Sequence, residues 1–210
     1  MRKLVLLSSS KLLPLAIQAI GKPAKTIKLA HIITASKDVE DLGYLERTRT
    51  ILKDLGVSYE DIDIEGKDEV QLKEIFAGKD AIFVNGGNTF YLLKTVRESG
   101  FDKVLRQLLD KGVVYIGASA GSYITCPTIE TSTWKQSPED VHNMWGLTDP
   151  TAMNLVPFIM FVHYTPDKEL FIRDKIKTAS HPVKILTDDQ GLLMRGGVVE
   201  LLGDQNEVRM

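Results

Sequence analysis

Short apolar runs alternate with amphipathic stretches along the first 118 residues of the chain, and this alternation predicts repeated strand–helix–strand units. The apolar runs are rich in leucine or β-branched residues, and each has the length of one buried strand. Strands joined in this way lie side by side in a mostly parallel sheet, so we expect an α/β fold. The predicted strands are Lys3–Ser8, Ile27–Thr34, Val57–Ile64, Ala81–Val84 and Val113–Gly117.

The amphipathic stretches between these strands predict helices that cover the sheet on both faces. Apolar residues recur at helical spacing in each stretch, and glycine follows each one, as is common at helix C-termini. We interpret the apolar stripes as core packing rather than as binding surfaces. The clearest predicted helices cover residues 42–55, 70–76 and 101–109, and the glycines that follow them are Gly56, Gly78 and Gly112.

The chain changes character after residue 118. Residues 130–150 are polar, contain proline and have no clear periodicity, and long irregular segments of this kind are often active-site loops. Regular elements return afterwards, and they end in a predicted C-terminal β-hairpin with a Gly-Gly turn. The predicted elements are a strand over Phe158–Val162, a helix over residues 168–179, a strand over Val183–Leu186, and two strands flanking Gly196-Gly197.

Composition narrows the class of protein. The chain has 210 residues, 43% of them hydrophobic, and a net charge of −2 with basic and acidic residues interspersed, so we expect one α/β domain over residues 1–210 and no nucleic-acid partner. No apolar stretch approaches the roughly 20 residues that cross a bilayer, so we expect no membrane association. The apolar run Leu4–Leu7 stops at Ser8 without a cleavage site, and it predicts a first strand rather than a signal peptide. A single cysteine, Cys126, excludes an internal disulfide and favours a cytoplasmic protein.

The segment Gly117-Ala118-Ser119-Ala120-Gly121 carries the strongest chemical signal. It follows a buried strand and precedes a predicted helix, which is the setting of a nucleophile elbow, where a strained serine is flanked by small residues. The N-terminus of the helix also directs backbone N–H groups at developing negative charge. The alternative is a serine that only caps a helix, and we favour the nucleophile because strand, spacing and four small neighbours coincide.

A second loop, Asn85-Gly86-Gly87-Asn88, follows the predicted strand Ala81–Val84. Adjacent parallel strands bring such loops together at the carboxyl edge of the sheet, where ligands bind. Gly87 lacks a Cβ and can offer its N–H to a substrate oxygen. An asparagine-capped turn that needs glycine only for its backbone conformation explains the loop equally well.

A serine nucleophile requires a base, and four histidines are available. His163 ends the strand Phe158–Val162 at a sheet edge, and we choose it as the base. His31 lies inside a predicted strand and is interpreted as a core residue, whereas His181 precedes Pro182 near a helix end. His142 in the irregular segment is the remaining alternative.

Ser119, the loop beginning at Asn85, and His163 together resemble the dipeptidase E and cyanophycinase family of serine peptidases. The strings that carry the resemblance are Val84–Lys94, Tyr115–Gly121, Cys126–Ile129 and Asn154–Pro157 leading to His163, so it covers nearly the whole chain. It implies a fold like the class I glutamine amidotransferases, which is flavodoxin-like, without a metal or organic cofactor. It also implies Ser119 as nucleophile, His163 as base, the N–H groups of Gly87 and Ala120 as the oxyanion hole, and small peptides, including dipeptides with N-terminal aspartate, as substrates. Asn88 is a further candidate contact to the substrate, and the protein is expected to be a monomer or a homodimer.

Two departures from the family pattern affect the expected site. The acidic residue that the family carries after the Cys-Pro-Thr-Ile string is replaced by Trp134, so a different carboxylate must orient His163. We choose Asp189 over Asp188, Glu130 and Asp140, and the alternative is that Asp188-Asp189 is a solvated turn. The basic segment that follows the histidine in the dipeptidases is shorter here, which leaves Arg173 as the candidate for binding the substrate carboxylate.

Two rival functions use the same residues. An α/β-hydrolase esterase also has a Gly-x-Ser-x-Gly elbow, but its histidine follows the acid near the C-terminus, and no residue after His181 can fill that role. A non-peptidase amide or ester hydrolase, or an inactive homologue that binds a small acidic ligand, remains the alternative. Loss of the expected acid at Trp134 is the best support for the inactive homologue.

Overall fold

A computed structural model describes residues 1–37, 39–134 and 146–210 of the chain. Its main feature is a seven-stranded sheet in the order β3-β2-β4-β5-β1-β8-β9, and β6 and β7 form a separate parallel pair. The strands are β1 (Lys3–Leu7), β2 (Lys28–Ile32), β3 (Ser58–Ile62), β4 (Ala81–Val84), β5 (Val114–Ala118), β6 (Ile159–Phe161), β7 (Val183–Ile185), β8 (Gln190–Arg195) and β9 (Val198–Gly203).

The first five strands pair in parallel, whereas β8 runs antiparallel to β1 and continues into an antiparallel hairpin with β9. The predicted α/β fold, with its mostly parallel sheet and C-terminal hairpin, is therefore confirmed.

Within the described residues, eight α-helices connect the strands. The predicted helices after β2, β3 and β4 are present. The sequence periodicity does not predict α1, which has a proline in its first turn and is only eight residues long. The helices are α1 (Leu13–Ile20), α2 (Gly43–Asp54), α3 (Glu69–Ile75), α4 (Thr89–Ser99), α5 (Phe101–Asp110), α6 (Ala120–Tyr123), α7 (Glu130–Thr133) and α8 (Glu169–Ile176). None of the described helices is long and apolar enough to cross a membrane.

Two apolar layers hold the helices against the sheet, because successive side chains of a strand point to opposite faces. Val5 and Leu7 of β1 belong to the layer that packs α1 and α2, and Leu4 and Leu6 belong to the layer that packs α3, α4 and α5. Tyr115 and Ile116 of β5 divide between the two layers in the same way. The centre of the sheet is thus covered on both faces.

The strand order brings three loops together at one edge of the sheet. β5 lies between β4 and β1, with Val84 paired to Gly117 and Leu7 paired to Ala118. The residues that directly follow these strands, Asn85, Ser119 and Ser8, therefore meet at their carboxyl ends. Because β8 runs in the opposite direction, its first residue lies at this same edge.

Candidate active site

Ser119 stands at a sharp turn between β5 and α6 with φ 50° and ψ −109°, a strained conformation for a residue with a side chain. The turn needs small neighbours because strand and helix are in close contact. A Cβ on Gly117 would lie 2.5 Å from the carbonyl oxygen of Gly121, and one on Gly121 would lie 2.1 Å from that of Val84. The predicted elbow geometry is present.

Hydrogen bonds fasten this turn to the sheet. The N–H of Ser119 donates to the carbonyl of Leu7 at 3.1 Å. The hydroxyl of Ser122 lies between the carbonyl oxygens of Leu7 and Gly117, at 2.8 and 2.9 Å, and Tyr115 donates to the carbonyl of Gly121 at 2.6 Å. These buried contacts hold the Ser119 backbone in place against its strain.

His163 lies beside Ser119, with its Nε2 2.9 Å from the serine Oγ. It follows the buried Val162 just beyond β6 and has φ 59°, so the backbone turns abruptly there. Two contacts fix that turn: the His163 N–H donates to the Oγ of Ser8 at 2.9 Å, and Lys168 Nζ donates to the His163 carbonyl at 2.7 Å. The structure thus brings the predicted nucleophile and the predicted base within hydrogen-bond distance.

Asp188 occupies the other side of the imidazole, with Oδ1 2.5 Å from Nδ1 of His163. Ser8 donates a second hydrogen bond to the same oxygen at 3.2 Å. Partial burial raises the pKa of the Asp188 carboxyl, but the electrostatic effect of the neighbouring His163 ring and the hydrogen bonds from His163 and Ser8 outweigh it and hold that pKa below its ordinary value. An ionised carboxylate at Nδ1 leaves Nε2 free to accept a proton from Ser119.

The choice of Asp189 as the orienting acid is wrong in this structure. Its side chain is 70% exposed, and its nearest ionic partner is Lys11, at 3.7 Å. Adjacent residues in the turn before β8 point in different directions, and the turn is fixed through the Asp189 carbonyl, which accepts from the N–H of Asp204. The sequence shows two neighbouring aspartates but not which of them the turn directs inward.

The other candidate acids are not brought to His163. Glu130 accepts hydrogen bonds from the N–H and hydroxyl of Ser180, and Asp140 lies outside the described residues. Trp134, at the position where the family has an acid, stacks on Phe161 with ring centroids 6.0 Å apart. An aromatic contact with the β6 segment therefore replaces the expected charge.

Two backbone N–H groups, those of Gly87 and Ala120, are the predicted donors to a substrate oxygen. Gly87 has φ 138°, and a Cβ there would lie 2.2 Å from the carbonyl oxygen of Ala35, so only glycine fits. Among the described residues, no protein atom accepts a hydrogen bond from the N–H of Gly87 or of Ala120, the first residue of α6. Their roles as oxyanion donors stay predictions.

Asn88 caps α4, and its Oδ1 accepts from the N–H groups of Phe90 and Tyr91 at 3.0 Å each. The asparagine-capped turn is thus present, and it is compatible with a donor at Gly87. A direct contact between Asn88 and substrate stays a prediction.

Arg173 is not brought to this site. Its guanidinium pairs with Glu169 one helical turn away at 2.8 Å, and the surface cavity that it lines shares no residue with the Ser119 cleft. The remaining histidines are also separate. His31 is fully buried beside Asp61, His181 contacts Ser180, and His142 lies outside the described residues.

The site opens as a small cleft with a cavity volume of about 200 Å³. The sequence did not predict the contributions of Ser8, Ser9, Ser10 and Tyr44 to this cleft. Ser8 was detectable in principle, because it ends a strand next to β5, whereas Tyr44 reaches the cleft from a helix. Within the described ranges, no group of three or more His, Cys, Asp or Glu side chains is arranged to bind a metal ion. The cleft is lined by Ser8, Ser9, Ser10, Tyr44, Asn85, Gly86, Gly87, Ala118, Ser119 and His163.

Comparison with known proteins agrees with this geometry. The profile of peptidase family S51 matches residues 4–202. The chain belongs to peptidase family S51. It is therefore a hydrolase of the serine peptidase type, as the resemblance implied.

Individual members of the family show how far the likeness extends. The S51 chain is 33% identical over 173 residues to the uncharacterized peptidase Lmo0363 of Listeria monocytogenes, covering 80% of this chain and 82% of that protein. A crystal structure of a candidate peptidase E from Listeria monocytogenes superposes with a TM-score of 0.82 and 31% identity, covering 98% of this chain and 100% of the other. Peptidase E of Shigella flexneri is 34% identical over 125 residues, which are 58% of this chain but only 48% of that protein.

Proposed function

We propose that this S51 peptidase cleaves small peptides through an acyl-enzyme formed on Ser119, with His163 as general base and Asp188 as the carboxylate that orients it. The observation that carries the proposal is the continuous line of contacts from Asp188 through His163 to Ser119, at 2.5 and 2.9 Å. A serine, an imidazole and a carboxylate in this order are the parts that acyl transfer requires.

The chemistry follows from these positions. Ser119 Oγ attacks the carbonyl carbon of the scissile bond while Nε2 of His163 takes its proton. The negative charge that develops on the carbonyl oxygen is stabilised by the N–H groups of Gly87 and Ala120. His163 then passes the proton to the leaving amine as the C–N bond breaks. In the second half of the reaction water attacks the acyl carbon while His163 takes its proton, and His163 returns that proton to Ser119 Oγ as the acyl group leaves.

The size of the cleft supports a small substrate. Its volume of about 200 Å³ lies below the range of roughly 300–1,000 Å³ that is typical of sites for drug-sized ligands. Serine hydroxyls and backbone groups form much of its wall, which suits a polar substrate such as a dipeptide. A long polypeptide would need an extended groove to be held in register.

A preference for N-terminal aspartate is the finer part of the proposal, and it follows from the family resemblance. Lys11 supports it, because it directly follows the three cleft serines and its ammonium group pairs with the carboxylate of Asp189, which is 3.7 Å away and 70% exposed. Such an exposed pair contributes little stability, so the ammonium group remains able to attract a substrate carboxylate.

The test combines an active-site probe with a substrate panel. A fluorophosphonate should label the wild-type protein, and Ser119→Ala should abolish labelling, whereas the exposed control Ser58→Ala should label normally. Labelling of the Ser119→Ala variant, or none of the wild type, contradicts the mechanism. Assays with Asp-Ala, Glu-Ala and Ala-Ala then test the substrate class, and Lys11→Met should raise KM for Asp-Ala alone.

A further inference from the structure

The peptide group between Gly86 and Gly87 carries the N–H that the proposed mechanism uses for the oxyanion. In a trans peptide the C=O and the N–H point in opposite directions, so whatever holds the carbonyl oxygen also sets the direction of the N–H. The hydroxyl of Tyr44, near the start of α2, donates to the Gly86 carbonyl oxygen at 3.2 Å. Tyr44 also lines the cleft.

A buried chain of hydrogen bonds holds the preceding peptide group. The N–H of Gly86 donates to Oδ1 of Asn85 at 2.8 Å, and Nδ2 of Asn85 lies 3.1 Å from Nε2 of His31. Nδ1 of His31 lies 2.7 Å from Asp61, which also accepts from Nε of Arg49 at 2.8 Å. Asn85 and His31 are 1% and 0% exposed, so water does not compete for the contact between them, whereas Asp61 and Arg49 at the outer end are partly exposed.

These hydrogen bonds have only one consistent assignment of donors and acceptors. The hydrogen bond from His31 lowers the pKa of the Asp61 carboxyl and outweighs the effect of its partial burial, so Asp61 is ionised and accepts the Nδ1 proton. Nε2 of His31 then accepts from the Asn85 amide, which leaves Oδ1 of Asn85 to accept from Gly86. The orientation of the asparagine, and with it the Gly86 N–H, is thereby defined.

These contacts act on a segment that needs restraint. Two consecutive glycines allow the peptide between them to rotate at low steric cost. A rotated Gly86–Gly87 peptide would present its carbonyl oxygen, instead of the Gly87 N–H, to the developing negative charge. The burial of Tyr44, which raises the pKa of its phenol, keeps the hydroxyl protonated as a donor.

We propose that Tyr44 is a positioning residue that holds the Gly86–Gly87 peptide with its N–H directed into the cleft, and that the Asn85–His31–Asp61 chain fixes the adjacent peptide. The inference rests on the proposed function, because it assigns a means of orienting the oxyanion donor at that same site. Tyr44 acts through the backbone and contacts no reacting atom.

The test is Tyr44→Phe, which removes one hydroxyl and keeps the ring. Loss of an oxyanion donor costs roughly 10²- to 10³-fold in kcat, and loss of its orientation alone should cost about tenfold. We expect this decrease in kcat on the preferred dipeptide with KM unchanged, and an equal loss of affinity for phenylboronic acid, which forms a tetrahedral adduct with the serine. The midpoint of the pH profile should not move, because His163 and Asp188 are unaltered. The matched control is Tyr59→Phe, which also removes one hydroxyl and should behave like the wild type.

A second variant tests the other side of the peptide. Asn85→Ala should lower kcat in the same way, and the double variant should lose less than the product of the two single effects, because both act on one loop. If Asn85→Ala does not fold, Tyr44→Phe decides by itself. Unchanged kcat and boronate affinity in Tyr44→Phe overturn the inference, and so does a rise in KM or a shifted pH midpoint. A wild type that fluorophosphonate does not label overturns the proposed function itself, whereas a labelled wild type with a normal Tyr44→Phe variant overturns this inference alone.

Discussion

Replacing Asp188 by asparagine exchanges one carboxylate oxygen of the proposed triad for an NH2 group and keeps the shape of the side chain. The carboxylate accepts the Nδ1 proton of His163, whereas the amide group of asparagine can donate to Nδ1 instead. Donation to Nδ1 favours the tautomer with hydrogen on Nε2. That tautomer cannot accept the proton of Ser119, so acylation should slow.

The expected magnitude follows from the exposure of the pair. The same change in a buried triad lowers kcat by about 10⁴. Here the side chains of Asp188 and His163 are 43% and 39% exposed, so water can compete with the amide and restore part of the productive tautomer. We therefore expect a loss of roughly 10²- to 10³-fold in kcat, or about 3–4 kcal/mol of transition-state stabilisation.

The assay is steady-state hydrolysis of the preferred dipeptide, with the rate of fluorophosphonate labelling as an independent measure of acylation. Asp189→Asn is the matched control, since it makes the same chemical change one residue further along on an exposed side chain. It should retain nearly full activity. A larger loss in Asp189→Asn than in Asp188→Asn would refute the assignment of the orienting carboxylate.

Three further predictions concern stability and binding. Asp80 accepts from the N–H of Lys28 at 2.8 Å, and the hydrogen bond from Lys22 first, then that from Lys28, lowers its pKa from the ordinary value of 3.8. The stabilisation that ionised Asp80 gives the folded protein is therefore present above about pH 4 and is lost as the pH falls through the folded-state pKa. In urea unfolding, Asp80→Asn should be less stable than wild type at pH 7, and this difference in stability should close near pH 2. A difference that widens on acidification contradicts the prediction. Gly121→Ala should lower the free energy of unfolding in urea by at least about 3 kcal/mol, because the added Cβ meets the backbone of Val84. Gly112→Ala should lower it by about 1 kcal/mol, because Gly112 has φ 90° but open space around it. Equal losses in the two variants would refute the close-packing argument. Arg173→Ala should leave KM for Asp-Ala unchanged, and a severalfold increase would restore Arg173 as a substrate contact.

Much of the fold was predictable because burial dictates it. The strands β1, β4 and β5 are short apolar runs whose side chains are stable only when buried. The elbow at Ser119 is flanked by glycine and alanine, which allow the close contact between strand and helix. The position of His163 followed from the end of a predicted strand. In each case the structure favoured by the local sequence is the one found in the assembled fold.

The parts that were missed depend on how distant segments meet. Asp188 and Asp189 are chemically identical and adjacent, and the first of them faces His163 only in the turn that forms when β8 joins the sheet. Ser8 contacts Asp188 across 180 residues of sequence, and Tyr44 reaches Gly86 across 42. No local pattern contains such contacts, since they exist only after the sheet is assembled.

The antiparallel strand β8 also gives the chain an order of assembly. A ribosome-bound chain made only as far as β7 already contains Ser119 and His163, but it lacks Asp188 and leaves one side of β1 without its strand partner. Peptide-cleaving ability should therefore arise late in synthesis, once the hairpin of β8 and β9 has joined the sheet. In this respect the pairing of the hairpin with β1 is the step of assembly that brings the carboxylate to the site.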